Sequence, residues 1–416
     1  VAARVGARGR RADHVPVTPA GSPAPLPFVP CGDLVDVPHV VVDGAAGPAT
    51  VLSLSHWPLS RTPRALARDL SAEIAFAYLS SSTCWAADAL AVTNDHVDQD
   101  GLVSLYALVD PDHARRHERT LVEIARVGDF AVVDDDEAAQ LAFALAVLGD
   151  PERSPLAVAP VPGHVSDEAP TGDAWSRACY PALLAIVPEL LEWPQRYAEI
   201  GAEERIALER SRSAFARGDA TVRELPDVGL AVVSVEPSVT DAPASRFCRA
   251  TSGPLHPAAI HAVTAAPRVL VVHGRRYRYY DRYETWVRVQ TRKLPLRRDL
   301  EVVARLLTEL EGSSTAWTAD PPGALEPVLS PAGSSESSLD VDRVVAVLVD
   351  YLTRAPAAWD PFAGDSPLED IRPPRQRGRS RLHRELDGRD VPATARGVSG
   401  PAVATRETTG RGRPRS

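Results

Sequence analysis

The chain has no methionine and a single lysine, Lys293, in 416 residues. Arginine carries nearly all the basic charge, beside abundant Ala, Val and Pro. This is the coding bias of a high-GC genome, so arginine in place of lysine is not a functional signal. The cysteines Cys31, Cys84, Cys179 and Cys248 are far apart, and no C-x-x-C pair occurs. That excludes a structural zinc site of the usual spacing, and nothing points to a disulfide framework. A reducing compartment, the cytoplasm, is the expectation. No apolar run reaches the roughly 20 residues of a membrane span, and the strongest, Leu141 to Leu148, is far too short. The arginines Arg4, Arg8, Arg10 and Arg11 are followed by no apolar segment, so no signal peptide is expected. P-loop, G-x-G-x-x-G and G-x-S-x-G sequences are absent, as are internal repeats.

What is present is an acidic body with a basic end. The net charge is −9, but Arg372 to Ser416 holds twelve Arg against four acids, so the preceding 371 residues carry −17. An acidic body does not suit general nucleic-acid binding, which needs a basic footprint. It suits a site that gathers carboxylates around a cation. Nucleic acid or an acidic partner is expected only at the basic tail, whose Pro/Gly/Arg composition reads more simply as a solvated disordered segment.

Along the chain, 1–27 and 364–416 read as disordered tails. Residues 28–150 read as an α/β domain, 151–220 as a linker with helices, and 221–363 as a smaller α+β domain. In the first domain His39–Val42 and Thr50–Leu54 read as strands. A helix is expected from Thr62 to Leu79, with Thr62 as its cap and Pro63 in its first turn. Ala89–Thr93 reads as a short buried strand before a helix at Leu102–Leu108, with further helices at Ala114–Arg126 and Glu137–Leu148. Strands alternating with helices predict a mostly parallel sheet with flanking helices. In the linker, helix breaks are expected at Pro188 and Pro194. Gly163-His164-Val165-Ser166-Asp167 holds nucleophile-type residues but reads as loop.

The sharpest chemical signal is Asp95-His96-Val97-Asp98-Gln99-Asp100-Gly101, between a strand and a helix. Residues 96, 98 and 100 alternate and can converge in an extended turn, and Gly101 permits a tight entry into the helix. Such an oxygen-rich set with one imidazole suits Mn²⁺ or Mg²⁺. A cation there would lower the pKa of a water and clamp a phosphoryl oxygen. The plainer reading is a polar loop whose aspartates cap the next helix.

The segment from Thr93 to Ser104 resembles the first motif of the Asp-His-His phosphoesterase superfamily. Those proteins are two-domain Mn²⁺-dependent hydrolases of phosphodiesters, polyphosphate and nucleotides. The resemblance implies that His96, Asp98 and Asp100 are metal ligands, with Asp98 and Asp100 at the catalytic centre and a phosphate ester or nucleotide as substrate. The chain departs from the superfamily in having no Asp-His-His triplet. Asp134, in Asp134-Asp135-Asp136, is the candidate for the superfamily's middle aspartate; the alternative there is an acidic start to the following helix. Through Leu54-Ser55-His56-Trp57-Pro58 and Arg282-Tyr283-Glu284-Thr285-Trp286, the whole chain also resembles an uncharacterised actinobacterial family.

Two further groups are candidates for the substrate. His56 and Arg61 lie near a strand end, with Asp69 and Glu73 sharing a helix face beyond and Asp43-Gly44 at another strand end. The alternative is a Trp57–Pro58 packing unit among surface charges. In the second domain, strand alternation would put Arg276, Arg278 and Arg282 on one face and Tyr277 and Tyr279 on the other. Arginines there would hold phosphate; otherwise the segment is an exposed hairpin with arginine cover. The rivals to an enzyme are a non-catalytic nucleotide-binding module of the same fold and an interaction protein acting through its basic tail.

Overall fold

The computed structural model describes residues 23–156, 172–241, 253–312 and 314–363. Most of both expected tails, Cys248 and the Gly163–Asp167 loop lie outside the described residues. Near the start of the described residues, Leu26 N–H donates to Leu108 O, and Pro27 O accepts from Val92 N–H.

The first lobe is built on three parallel strands, β1 (His39–Val42), β2 (Thr50–Leu54) and β3 (Ala91–Thr93), in the order β2-β1-β3. All four residues of β1 are buried, as expected of a parallel strand covered on both faces. The strands are short enough that seven residues, 43–49, carry the chain from β1 back to the start of β2. Around them pack α1 (Ser71–Leu79), α2 (Gln99–Val109), α3 (Pro111–Arg116), α4 (Glu118–Phe130) and α5 (Asp136–Leu148). The apolar periodicity of Leu121, Ile124 and Ala125 in α4 and of Leu141, Ala142 and Leu145 in α5 places these residues in one core with Val40, Val42 and Val92.

Three local expectations differ from the structure. The helix expected at Ala114–Arg126 is divided at His117 into α3 and α4. The helix expected from Thr62 begins only at Ser71, because Thr62 Oγ1 is spent elsewhere: it accepts from Ser55 N–H at 2.9 Å and donates to Ser55 O at 2.6 Å. Residues 56–62 instead form a bent loop in which Leu59 and Arg61 adopt positive φ, 61° and 58°. The break expected at Pro188 is not made either. The helix α6 (Gly172–Glu192) runs through Pro181 and Pro188, seven residues apart and so on one partly exposed face. The chain then turns at Pro194 and enters α7 (Ala202–Arg217).

The second lobe is a six-stranded mixed sheet, ordered β4-β5-β6-β7-β9-β8. Its strands are β4 (Ala220–Leu225), β5 (Leu230–Val235), β6 (Arg268–His273), β7 (Arg276–Asp281), β8 (Trp317–Ala319) and β9 (Val328–Pro331), with α8 (Pro257–Val263) between β5 and β6. Only β5 and β6 are parallel. Strand alternation divides the side chains cleanly. Leu230, Val232, Leu270, Val272, Tyr277 and Tyr279 face α9 (Leu300–Leu310) and α10 (Val341–Arg354). Val233, Val235, Val269, Val271 and Tyr280 face Ala214 of α7 and Ile260 of α8.

A candidate metal centre at the strand ends

In a parallel sheet the loops beyond the carboxyl ends of the strands collect ligands. Here all three ends contribute. β1 ends at Val42 and delivers Asp43; β2 ends at Leu54 and delivers His56; β3 ends at Thr93 and delivers His96, Asp98 and Asp100. α4 adds Asp129 from its last turn. The strand ends are tied together by Asn94, which donates from Nδ2 to Val42 O and Asp43 O at 3.0 and 3.1 Å and accepts His96 N–H at 2.7 Å. Asp43 adopts φ +43°, in the left-handed region that aspartate tolerates better than most residues. Gly101 is required by close approach: a Cβ there would lie 2.8 Å from Asn94 Nδ2 and 2.9 Å from Tyr180 Oη. The same tyrosine hydroxyl donates to His96 O.

Asp43 is the hinge of the cluster. Its Oδ1 lies 3.4 Å from His56 Nε2, and its Oδ2 lies 3.3 Å from His96 Nε2. Two groups of potential ligand atoms share it, Asp43–His56–Asp100 and Asp43–His96–Asp98, each with its atoms within 4.8 Å of one another. The first group is closed to solvent; in the second, the His96 side chain is 29% exposed and Asp98 19%. His56 Nδ1–H donates to Asp69 O at 2.7 Å, which turns Nε2 toward Asp43, Asp100 at 3.8 Å and Asp129 at 3.4 Å. Asp129 Oδ2 is buried and accepts no hydrogen bond.

The plainer reading of the acidic turn, a cap on the next helix, holds for Asp98 at the same time as the cluster. Asp98 Oδ1 caps α2 by accepting Gly101 N–H at 2.8 Å, while its Oδ2 faces His96 Nε2 at 3.0 Å. Asp100 caps a different helix, accepting Ser71 N–H and Ala72 N–H of α1 at 2.8 and 2.7 Å. Ser71 Oγ donates to Asp43 Oδ1 at 2.8 Å. The positive end of α1 therefore points at the cluster.

The charges do not balance. Two imidazoles face the carboxylates of Asp43, Asp98, Asp100 and Asp129, with Asp95 Oδ1 3.0 Å from His96 Nδ1 at the rim. Burial pulls His56 toward the neutral form, but Asp43, Asp100 and Asp129 outweigh it and hold its pKa up at about 10. His96 is likewise held well above the ordinary value despite burial, by Asp98, Asp43 and Asp95. Burial pushes Asp43 up, yet the two histidines hold it below the usual carboxylate range. Burial and the charge of Asp43 push Asp100 up to about 8. Asp129 is raised well above its ordinary value by burial and then by Asp100 and Asp98. A cluster with more carboxylates than imidazoles, and a buried carboxylate oxygen without a donor, has the chemistry of a divalent-cation site. The all-oxygen-and-imidazole donor set fits Mn²⁺ or Mg²⁺.

The residues singled out from sequence are distributed unevenly. His96 and Asp98 fall in one group and Asp100 in the other, so the three expected ligands do not form one set and are linked only through Asp43. His56, expected beside the substrate, lies within the cluster itself. Asp134 does not join it: its side chain is 65% exposed and lies 3.6 Å from Arg126. In that acidic run, Asp135 caps α5 by accepting from Glu137 and Ala138 N–H. Arg61 is exposed on the bent loop. Arg276 pairs with Asp241 at 2.6 Å, Arg278 lies over the Tyr280 ring, and Arg282 is buried against Glu284 at 2.6 Å. What the second lobe brings to the cluster is aromatic: Tyr283 Oη is 3.5 Å from His56 Nε2, and Trp286 meets Trp57, whose ring lies 5.2 Å from that of His96. Asp129 was not foreseen. Its signal was an acid at the helical spacing of the buried residues Leu121 and Ala125.

Fold and site together define an α/β protein with an acid–imidazole cluster at the carboxyl ends of a small parallel sheet. The chain belongs to a family of unknown function, DUF6687, whose model it matches over residues 24–363. Neither a curated protein nor a solved structure matches it. Among the described residues, no helix is long and apolar enough to cross a membrane.

Proposed function

We propose that this protein is a divalent-cation-dependent phosphoesterase that acts on a phosphate ester or nucleotide. The observation that carries the reading is Asp43, whose two carboxylate oxygens each face a separate histidine and so serve two adjoining ligand sets. Asp43, His56 and Asp100, with Asp129 beside them, would hold one cation; Asp43, His96 and Asp98 would hold the other. Bound Mn²⁺ or Mg²⁺ would polarise a phosphoryl oxygen and lower the pKa of a water. The protein's own part is to orient Asp98 and Asp100 as oxygen ligands through backbone N–H groups, and to keep one side of the cluster open. The open side, at His96 and Asp98, is where a substrate phosphate would enter. The resemblance of the Thr93–Ser104 segment to the Asp-His-His phosphoesterases supports the same chemistry.

The second reading is a non-catalytic binding module of the same fold. It is favoured by the missing Asp-His-His triplet. One experiment separates the two. Purified protein freed of metal is titrated with Mn²⁺ and then assayed on a generic aryl phosphodiester. Binding of Mn²⁺ with cation-dependent hydrolysis, lost in Asp98→Ala while the protein stays folded, supports the enzyme. Binding without hydrolysis supports the module, and no binding removes both.

A further inference from the structure

We infer that Asp69 is a positioning residue, through which the second lobe fixes the orientation of His56 in the closed half of the cluster. The inference rests on the cation reading above. Asp69 has two functions in one residue. Its backbone carbonyl accepts the His56 Nδ1–H at 2.7 Å, and this bond decides which ring nitrogen faces Asp43, Asp100 and Asp129. Its carboxylate reaches across to the second lobe. Oδ1 accepts Gln290 N–H at 2.6 Å and Thr291 N–H at 3.0 Å, and Oδ2 accepts the Thr291 hydroxyl.

The same short segment is tied to His56 directly, since Arg288 N–H donates to His56 O at 2.9 Å. Residues 288–291 thus grip both the histidine and the residue that orients it. Without the carboxylate, residue 69 would be held only by its place between the bent loop and α1. Leu59 and Arg61 show that this loop is not in a relaxed conformation. A carbonyl free to drift would release the Nδ1–H, and the imidazole would lose its aim. An imidazole that holds a cation normally has its second nitrogen fixed by such a partner, and loss of that partner typically weakens binding about 10- to 100-fold.

The test compares wild type, Asp69→Ala and Asp69→Asn as full chains. The first readout needs no metal. The His56 Nδ1–H, hydrogen-bonded inside a buried pocket, should give a slowly exchanging imidazole proton resonance, assigned through its loss in His56→Gln. Asp69→Ala is expected to broaden or abolish it, and Asp69→Asn, which keeps an acceptor oxygen for the Gln290 and Thr291 N–H groups, to retain it. The second readout is calorimetric titration with Mn²⁺. Asp69→Ala should weaken one of two binding events about tenfold and leave the other unchanged, and Asp69→Asn should stay within about threefold of wild type. A His56 proton resonance unchanged in Asp69→Ala overturns the inference. Equal weakening of both binding events also overturns it, because that is general loosening. If wild type takes up no Mn²⁺, the cation reading fails, and the proton resonance still decides whether Asp69 orients His56.

Discussion

Two clusters of buried charge among the described residues are built differently. In the second lobe, Arg268 lies 3.6 Å from Asp281, which also accepts the Tyr279 hydroxyl at 2.7 Å. Arg282 meets Glu284 at 2.6 Å, and Glu284 also takes Arg292 at 3.2 Å. Arg297, 1% exposed, donates to Thr285 Oγ1 and to the carbonyls of Pro322, Ala324 and Leu325. Each acid there has an arginine, and Arg268, Arg282 and Arg297 also donate to backbone oxygens, although Asp281 Oδ2 itself accepts no hydrogen bond. At the strand ends of the first lobe the acids outnumber their partners, and Asp129 Oδ2 has no donor. Burying a charge without compensation is costly. The difference lies in the supply of arginine: on the reading proposed above, a cation would take that part in the first lobe.

The comparison can be broken most forcefully at Asp43. Asp43→Asn keeps a residue that tolerates the left-handed backbone but removes the shared charge. Cation-dependent phosphodiester hydrolysis should fall about a thousandfold, the upper figure for losing one charge-stabilising group, with circular dichroism unchanged. A variant retaining activity within tenfold would sink the shared-ligand reading.

Neutralising one carboxylate in each cluster should have opposite consequences. Glu284→Gln leaves Arg282 buried without its counter-charge and should cost about 3 kcal/mol in urea unfolding. Asp129→Asn removes an acid from an over-acidic cluster and should not lower the stability of metal-free protein, while weakening one Mn²⁺ binding event about tenfold. A large destabilisation by Asp129→Asn would mean that the first-lobe cluster is structural after all.

Cation binding itself should stabilise the native state. At a hundredfold excess over Kd the gain is about 2.7 kcal/mol, a rise in melting temperature on the order of 5 °C that chelator reverses. Scanning calorimetry with and without Mn²⁺ tests this, and an unchanged melting temperature would count against a site on the first lobe.

The smallest effect concerns a satisfied acid of the second lobe. Burial alone would push Glu311 up, but the Ser337 and Ser338 hydroxyls, the Ser338 backbone N–H and the Trp317 indole hold it down at about 2. A carboxylate lowered in the folded state contributes stability that is complete above its ordinary value of 4.5 and is lost as pH falls toward 2. The stability difference between wild type and Glu311→Gln should therefore shrink from pH 5 to pH 2.5. A difference that stays constant over that range would show that the carboxylate's charge is not what these donors recognise.

Much of the first lobe was legible because its signals are local. Val40 to Val42 form an apolar run, the acidic turn stands between a strand and a helix, and α5 opens on acids and continues in Ala and Leu. The limits of this legibility are equally local. Thr62-Pro63 has the chemistry of a helix start, but Ser55 claims the threonine hydroxyl and the helix waits until Ser71. Pro188 has the chemistry of a break, but the helix presents it on a partly exposed face where a lost N–H is cheap. Asp134 looked like a ligand by its neighbours, whereas Asp129, hidden in an apolar helix end, has the position.

Sequence alone marked residues 96, 98 and 100 as a dense acid–imidazole turn between a strand and a helix, because that signal is local. It also determined the acidic body and the α/β alternation that puts loops at one edge of a sheet. Only the tertiary structure decided what those residues converge upon. Parallel pairing of β1 with both β2 and β3 brings Asp43 between His56 and His96, and packing of α4 brings Asp129 to the same point. Those neighbours are 13 to 86 positions apart in the chain, and their meeting depends on strand register and helix packing, which no short motif encodes.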